Sequence, residues 1–221
     1  MKSLVPIAVC ATLCSPGLAA IPVVLTAPAV MNLVTNGNFS QGAPASGCAA
    51  GLTSVSGWTL SSGNVDWVQG NHPGCGLWAV PDSAPWFLDL TGSYAEYGVN
   101  NVATLSQNLP TQAGQNYQLG FCFGANPAGQ YLQSYPDDGS VKSLEVLINN
   151  VVVGTFSINV SGVSEFNAQW TPIRLLFTAP TNLTSLTFKS LSKKSDFGPM
   201  ITDVRVIQSD TPFLQTCQVL Q

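Results

Sequence analysis

The sequence predicts an all-β fold, an antiparallel β-sandwich of the jelly-roll kind, on three observations. No stretch carries a sustained helical repeat, apolar residues alternate over short runs, and clusters of Gly, Pro and Asn interrupt the chain often. Tyr117, Leu119, Phe121 and Phe123 fall on one face of a strand, with Gln118, Gly120 and Cys122 on the other. Leu144, Val146 and Ile148 alternate in the same way. The Asn149-Asn150 pair that follows tolerates positive φ and suits a tight hairpin, with a return strand over 151–158. Ile173, Leu175 and Phe177 alternate before a turn at Pro180-Thr181-Asn182; further strands are expected at 183–191 and 200–207. Trp58 and Trp170 each open a strand-like run and are read as buried anchors.

The first twenty residues read as a signal peptide: a positive start at Met1-Lys2, an apolar run from Leu4 to Leu13, then the small residues Gly17, Ala19 and Ala20. A cut as late as Ala29 also fits. Pro6, Pro16, Pro22 and Pro28 break the run that a membrane span requires. Residues 31–208 are expected to form one sandwich domain, and 209–221 a short tail without an anchor. An exported chain with Cys48, Cys75, Cys122 and Cys217 left after signal removal implies two disulfides in one of three pairings. The favoured pairing is Cys48–Cys75 with Cys122–Cys217, which would tie the tail to the body. Sequons at Asn38, Asn159 and Asn182 are glycan acceptors in a host that glycosylates them.

Only 8% of residues are charged, against roughly 25% in ordinary soluble domains. A surface of Ser, Thr, Asn and Gln suits neutral polar partners. Seven scattered Lys and Arg, within a formal charge of −4, provide no face for nucleic acid. Chemistry is equally sparse. A serine triad needs a base, and His72 is the sole imidazole, in the turn-like Gly70-Asn71-His72-Pro73-Gly74; no CxxC pair or phosphate loop occurs. Eleven acidic residues always permit some carboxylate pair. A hydrolase would require Asp66, Asp89 or Glu96 to share a cleft with His72. The expectation is that the protein is not an enzyme and needs no cofactor.

The aromatic residues are more informative. Trp67, Trp78 and Trp86 lie in or beside a stretch rich in Gly, Pro and Asn, together with Asp66 and His72, and Tyr131 and Tyr135 mark a second such stretch. Loops carry binding groups more often than strands do. A flat ring matches the apolar face of a sugar while neighbouring polar groups bond its hydroxyls, so these seven residues are the candidate ligand-binding set.

The motifs Asn32-Leu33-Val34-Thr35-Asn36-Gly37-Asn38-Phe39, Gly57-Trp58-Thr59, Phe87-Leu88-Asp89-Leu90, Leu105-Ser106-Gln107, Gly124-Ala125-Asn126-Pro127 and Phe197-Gly198-Pro199-Met200-Ile201-Thr202-Asp203 occur in that order. Over about residues 31 to 208 the chain resembles the choice-of-anchor C family of bacterial exported proteins and the related, functionally undefined domain of plant cell-wall proteins. The resemblance implies a galactose-binding-like jelly roll, an extracellular or cell-wall location, association with wall polysaccharide and wall-modifying enzymes, and no catalysis. In similar carbohydrate-binding folds an acid after the Asn-Gly-x-Phe motif joins an Asp of the last strand, here Asp203, around a structural calcium. This chain has Ser40 at the first position, which removes one hard oxygen ligand. The expected function is binding of a glycan or polysaccharide; the alternative is an adhesive protein that docks another protein, such as a wall enzyme.

Overall fold

The computed structural model describes residues 31–76, 78–81, 83–93, 101–135, 137–193, 195–209 and 217–218. The expected signal segment, Glu96 and most of the tail lie outside these. Among the described residues eleven strands follow in order: β1 (Cys48–Leu52), β2 (Thr59–Ser62), β3 (Val65–Gln69), β4 (Trp86–Asp89), β5 (Thr104–Pro110), β6 (Asn116–Ala125), β7 (Val141–Ile148), β8 (Val151–Asn159), β9 (Thr171–Thr178), β10 (Leu183–Ser190) and β11 (Pro199–Gln208). They build a six-stranded sheet, β1-β3-β4-β11-β6-β9, and a five-stranded sheet, β2-β5-β10-β7-β8. All pairings are antiparallel. Among the described residues the helical content is one 3₁₀ turn, Ala128–Gln130.

The alternating residues meet between the sheets. Tyr117, Leu119, Phe121 and Phe123 of β6 pack against Leu144, Val146 and Phe188 of the other sheet, with Trp58 among them. Asn149 and Asn150 both adopt positive φ, 46° and 66°, so Ile148 pairs directly with Val151 across a two-residue turn. Both favoured disulfides form, Cys48–Cys75 and Cys122–Cys217.

The Asn-Gly-x-Phe motif has a mechanical reading. Asn36, at φ 52°, ties its side chain to the Gln41 and Ser56 carbonyls and to the Gln41 amide. A Cβ on Gly37 would lie 2.0 Å from the Val204 carbonyl oxygen, because β11 bulges there and Val204 donates to the Gly37 carbonyl. Phe39 is then driven wholly into the core, where its carbonyl accepts from Trp67 Nε1.

The outer face of the six-stranded sheet is not left to solvent. Phe87 and Met200, which point away from the main core, are buried under Trp78, Val80 and Ala168. The β3–β4 and β8–β9 connections therefore form a second layer over that face. Trp170 secures it by donating from Nε1 to the Ala79 carbonyl (2.8 Å), with its ring against Gly124, where a Cβ would come within 2.8 Å.

Candidate functional site

The second layer leaves a cleft of about 460 Å³ over β1, β3 and β4, within the range of small-molecule sites. Its floor carries Asp66 and Val68 of β3 beside Phe87 and Asp89 of β4; Asp66 and Asp89 are register partners. Five connections supply its walls: Trp78 from β3–β4, Ser93 from β4–β5, Asn126, Leu132 and Tyr135 from β6–β7, Glu165 and Phe166 from β8–β9, and Asp196 and Phe197 from β10–β11. Trp78 meets Phe87 and Phe166 edge-on at 5.7 and 5.5 Å, while Tyr135 meets Phe197 at 6.4 Å. Phe166 and Tyr135 remain 36% and 51% exposed, so aromatic surface stays open to a partner.

The two floor carboxyls have different tasks. Asp89 Oδ1 accepts from the Thr91 amide (2.9 Å), and Oδ2 from Asn126 Nδ2 (2.8 Å) and the Gly198 amide (3.2 Å). A Cβ on Gly198 would lie 2.6 Å from Asp89 Oδ1, which accounts for the glycine of the Phe197-Gly198-Pro199 motif. Burial pushes Asp89 up to about 7, held back by those donors and by Lys142. Asp66 Oδ1 accepts from the Gly51 amide (2.8 Å), aimed by a β1 irregularity in which Gly51 has φ 65°. Burial and then the Asp89 charge push Asp66 up to about 8, against the Gly51 and Ser93 amides. At neutral pH Asp66 is thus largely a neutral acid, able to donate as well as accept.

The rim is fastened from behind. Lys142 of β7 is fully buried and binds Asp137 Oδ1 and Asp138 Oδ1, the latter at 2.8 Å. Asp138 also accepts the Lys193 amide (2.9 Å), and Asp137 accepts from Ser195 Oγ (3.3 Å). One ammonium group therefore joins the two connections that bear Tyr135 and Phe197. On the opposite side the Cys48–Cys75 disulfide lines the cleft, and Trp78 Nε1 donates to the Cys75 carbonyl (3.1 Å).

Of the seven residues expected to bind a ligand, Asp66, Trp78 and Tyr135 line this cleft. Trp67 and Trp86 do not, and the expectation is corrected. They stand in strands, not loops, and the two-residue period turns both toward the main core, Trp67 being 3% exposed. Trp78 is 6% exposed, so it gives the wall an edge and no open face. His72 packs over Gly47 with Nδ1 3.4 Å from Cys75 Sγ and does not line the cleft. The Tyr131 hydroxyl donates to the Val163 carbonyl (2.7 Å), and this tyrosine too stays outside the lining. The hydrolase arrangement, with His72 beside the acids, is therefore not formed. Sequence reading missed Phe166, Asp89, Asn126 and Asp196 as ligand-binding residues, although Asp89 and Asn126 belong to the motifs Phe87-Leu88-Asp89-Leu90 and Gly124-Ala125-Asn126-Pro127, and Asp196 directly precedes Phe197-Gly198-Pro199.

The calcium position implied by resemblance can be tested on Asp203. Both its oxygens are engaged by Arg205, with Nε at 2.9 Å and Nη2 at 3.0 Å, and Oδ2 also accepts from Ser83 Oγ. Ser40 Oγ turns to Asn38 Oδ1. A guanidinium already compensates the carboxylate, so these residues do not fit a divalent cation.

The family described as "protein of unknown function (DUF642)" matches residues 32–207, and the chain belongs to that family. The choice-of-anchor C name is not part of this match. Halomucin of Haloquadratum walsbyi (strain DSM 16790 / HBSQ001) is 26% identical over 190 residues, which are 82% of this chain but only 2% of halomucin. Among solved structures, TmCBM61 in complex with beta-1,4-galactotriose aligns at a TM-score of 0.47 and 15% identity, covering 81% of this chain and 99% of that one. A family 16 carbohydrate-binding module aligns at 0.43 and 15%, covering 80% and 100%. A family 35 module from Clostridium thermocellum aligns at 0.38 and 10%, covering 69% and 89%.

Proposed function

We propose that this DUF642 member is an extracellular, non-catalytic protein that holds a saccharide segment in the cleft over β1, β3 and β4. One observation carries the reading: open aromatic surface from Phe166 and Tyr135 converges with Asp66, Asn126 and Asp196 on one concave site. Sugars present an apolar face and a ring of hydroxyls, and a site with aromatic walls and a few fixed polar groups matches both. Asp89 is spent on three N–H donors and His72 lies outside the lining, which supports the non-catalytic reading. None of Asn38, Asn159 and Asn182 lines the cleft, so glycans at the sequons are compatible with an open site. The charge-poor sequence and the disulfides fit export to a wall or matrix.

A glycan array, followed by calorimetry on the best ligand, tests the proposal. Phe166→Ala and Tyr135→Ala are each expected to weaken binding about tenfold, equivalent to ~1.4 kcal/mol, with Tm nearly unchanged because both rings are partly exposed. Absence of binding to every saccharide by folded protein refutes it. A second reading, docking of another protein such as a wall-modifying enzyme, is favoured by a different surface. Val151, Val152 and Val153 are 65%, 47% and 37% exposed on β8, an edge strand of its sheet. Sugar-independent co-purification of one stoichiometric partner, lost on Val152→Lys, would support it.

A further inference from the structure

The cleft has a charge character that narrows its ligand, and this step rests on the saccharide reading above. We propose that the cleft admits saccharides without acidic groups and turns away uronates and sulfated sugars, with Glu165 on the wall imposing the choice. Four carboxyl side chains line the cleft, Asp66, Asp89, Glu165 and Asp196. Among the described lining residues there is no Lys, Arg or His to oppose them. Lys142, whose charge reaches Asp89, is fully buried behind the rim and bound to Asp137 and Asp138, so it has no surface to offer an incoming anion.

A carboxylate on the ligand would surrender its hydration with no cation among the described lining residues to replace it, and would approach the Glu165 carboxylate within a few ångströms. Either effect alone is worth roughly tenfold in affinity. A neutral sugar meets no such opposition. It needs paired donors and acceptors, and Asp66 supplies both while it keeps its proton, as its burial beside Asp89 favours. The apolar walls, Trp78, Phe166, Leu132 and Tyr135, are indifferent to ligand charge. Selectivity therefore resides in the carboxyls and can be moved without dismantling the cleft.

The full chain, freed of its signal segment, is titrated with two probe sets: neutral β-glucan, galactan, xylan and mannan oligosaccharides, and oligogalacturonates of equal length. At least one neutral set is expected to bind, with galacturonates tenfold or more weaker. Glu165→Lys places a cation on the wall and is expected to raise galacturonate affinity relative to the neutral ligand by at least tenfold. That gain cannot be produced by misfolding. Equal binding of both sets, preference for galacturonate by the natural chain, or no relative gain in Glu165→Lys overturns the selectivity and leaves saccharide binding standing. Failure of every probe removes the saccharide reading itself, and this inference with it.

Discussion

Asp66→Asn should make the protein more stable at pH 8 while changing it little at pH 5. Folding raises Asp66 from an ordinary 3.8 to about 8, through burial first and the opposed Asp89 second. Between those values the folded chain binds more protons than the unfolded one, so stability falls as pH rises. The favourable contribution is complete below about pH 4 and is lost as pH climbs to about 8. At about 1.4 kcal/mol per unit, a shift of this size sets a ceiling of about 6 kcal/mol. Asp66 is half-buried on an open cleft, where water screens the charge, and about 2–3 kcal/mol is expected in practice. Asparagine removes the titration and keeps an oxygen for the Gly51 amide. For a domain of this length the difference corresponds to a Tm gap of about 6–8 °C at pH 8, narrowing to about a quarter of that at pH 5 and toward zero at pH 4. Asp89, raised to about 7, still titrates in the variant and leaves it a residual slope of the same sign. Calorimetric scans of both proteins in buffers of constant ionic strength from pH 4 to 9 measure the gap. Parallel Tm profiles, or a variant less stable at pH 8, would falsify the assignment of the acid pair as buried and coupled.

Two further substitutions separate packing from binding. Trp67→Ala removes a core ring whose Nε1 bonds the Phe39 carbonyl. It should cost about 3–5 kcal/mol, read by urea titration, in contrast to the near-silent effect of Phe166→Ala on stability; a loss below 1 kcal/mol would contradict the observed burial. Lys142→Met leaves Asp137 and Asp138 without their shared cation and should cost about 3 kcal/mol. Amide exchange should quicken in 126–140 and 191–198, the two connections it joins, while unchanged protection there would show that the rim holds without it.

The sandwich was legible because its strands obey the two-residue period and its turns are written in residues with one physical meaning. Asn149-Asn150 is both a sequence signal and the observed pair of positive-φ residues. The site was legible only in part. Trp67 and Trp86 were misassigned because the richness in Gly and Pro lies between them, whereas Trp67 stands in the middle of β3 and Trp86 opens β4. The alternation that places Trp67 inward also places Asp66 outward, so of these two adjacent candidates Asp66 alone lines the cleft. Phe166 carries no local signal. It becomes a wall residue only because the β8–β9 connection, distant from β3 in sequence, folds over the same face, a long-range event that periodicity does not encode.

The doubled covering of the six-stranded sheet explains why the acids can persist. On a solvent-facing sheet Asp66 and Asp89 would sit in water and titrate as ordinary carboxyls. Under the layer made by Trp78, Val80 and Ala168 they are partly desolvated, opposite one another, and costly to keep ionised. Asp89 offsets that cost through three N–H donors that fix Thr91, Asn126 and Gly198, so it serves the fold. Asp66 receives only the Gly51 and Ser93 amides and remains on the floor of the cleft. Two neighbouring carboxyls are thus divided between architecture and ligand by the donors each receives. A cleft that keeps a buried acid at its floor, with aromatic walls and no cation among its described lining residues, suits the proposed partner, one that supplies hydroxyls and brings no negative charge.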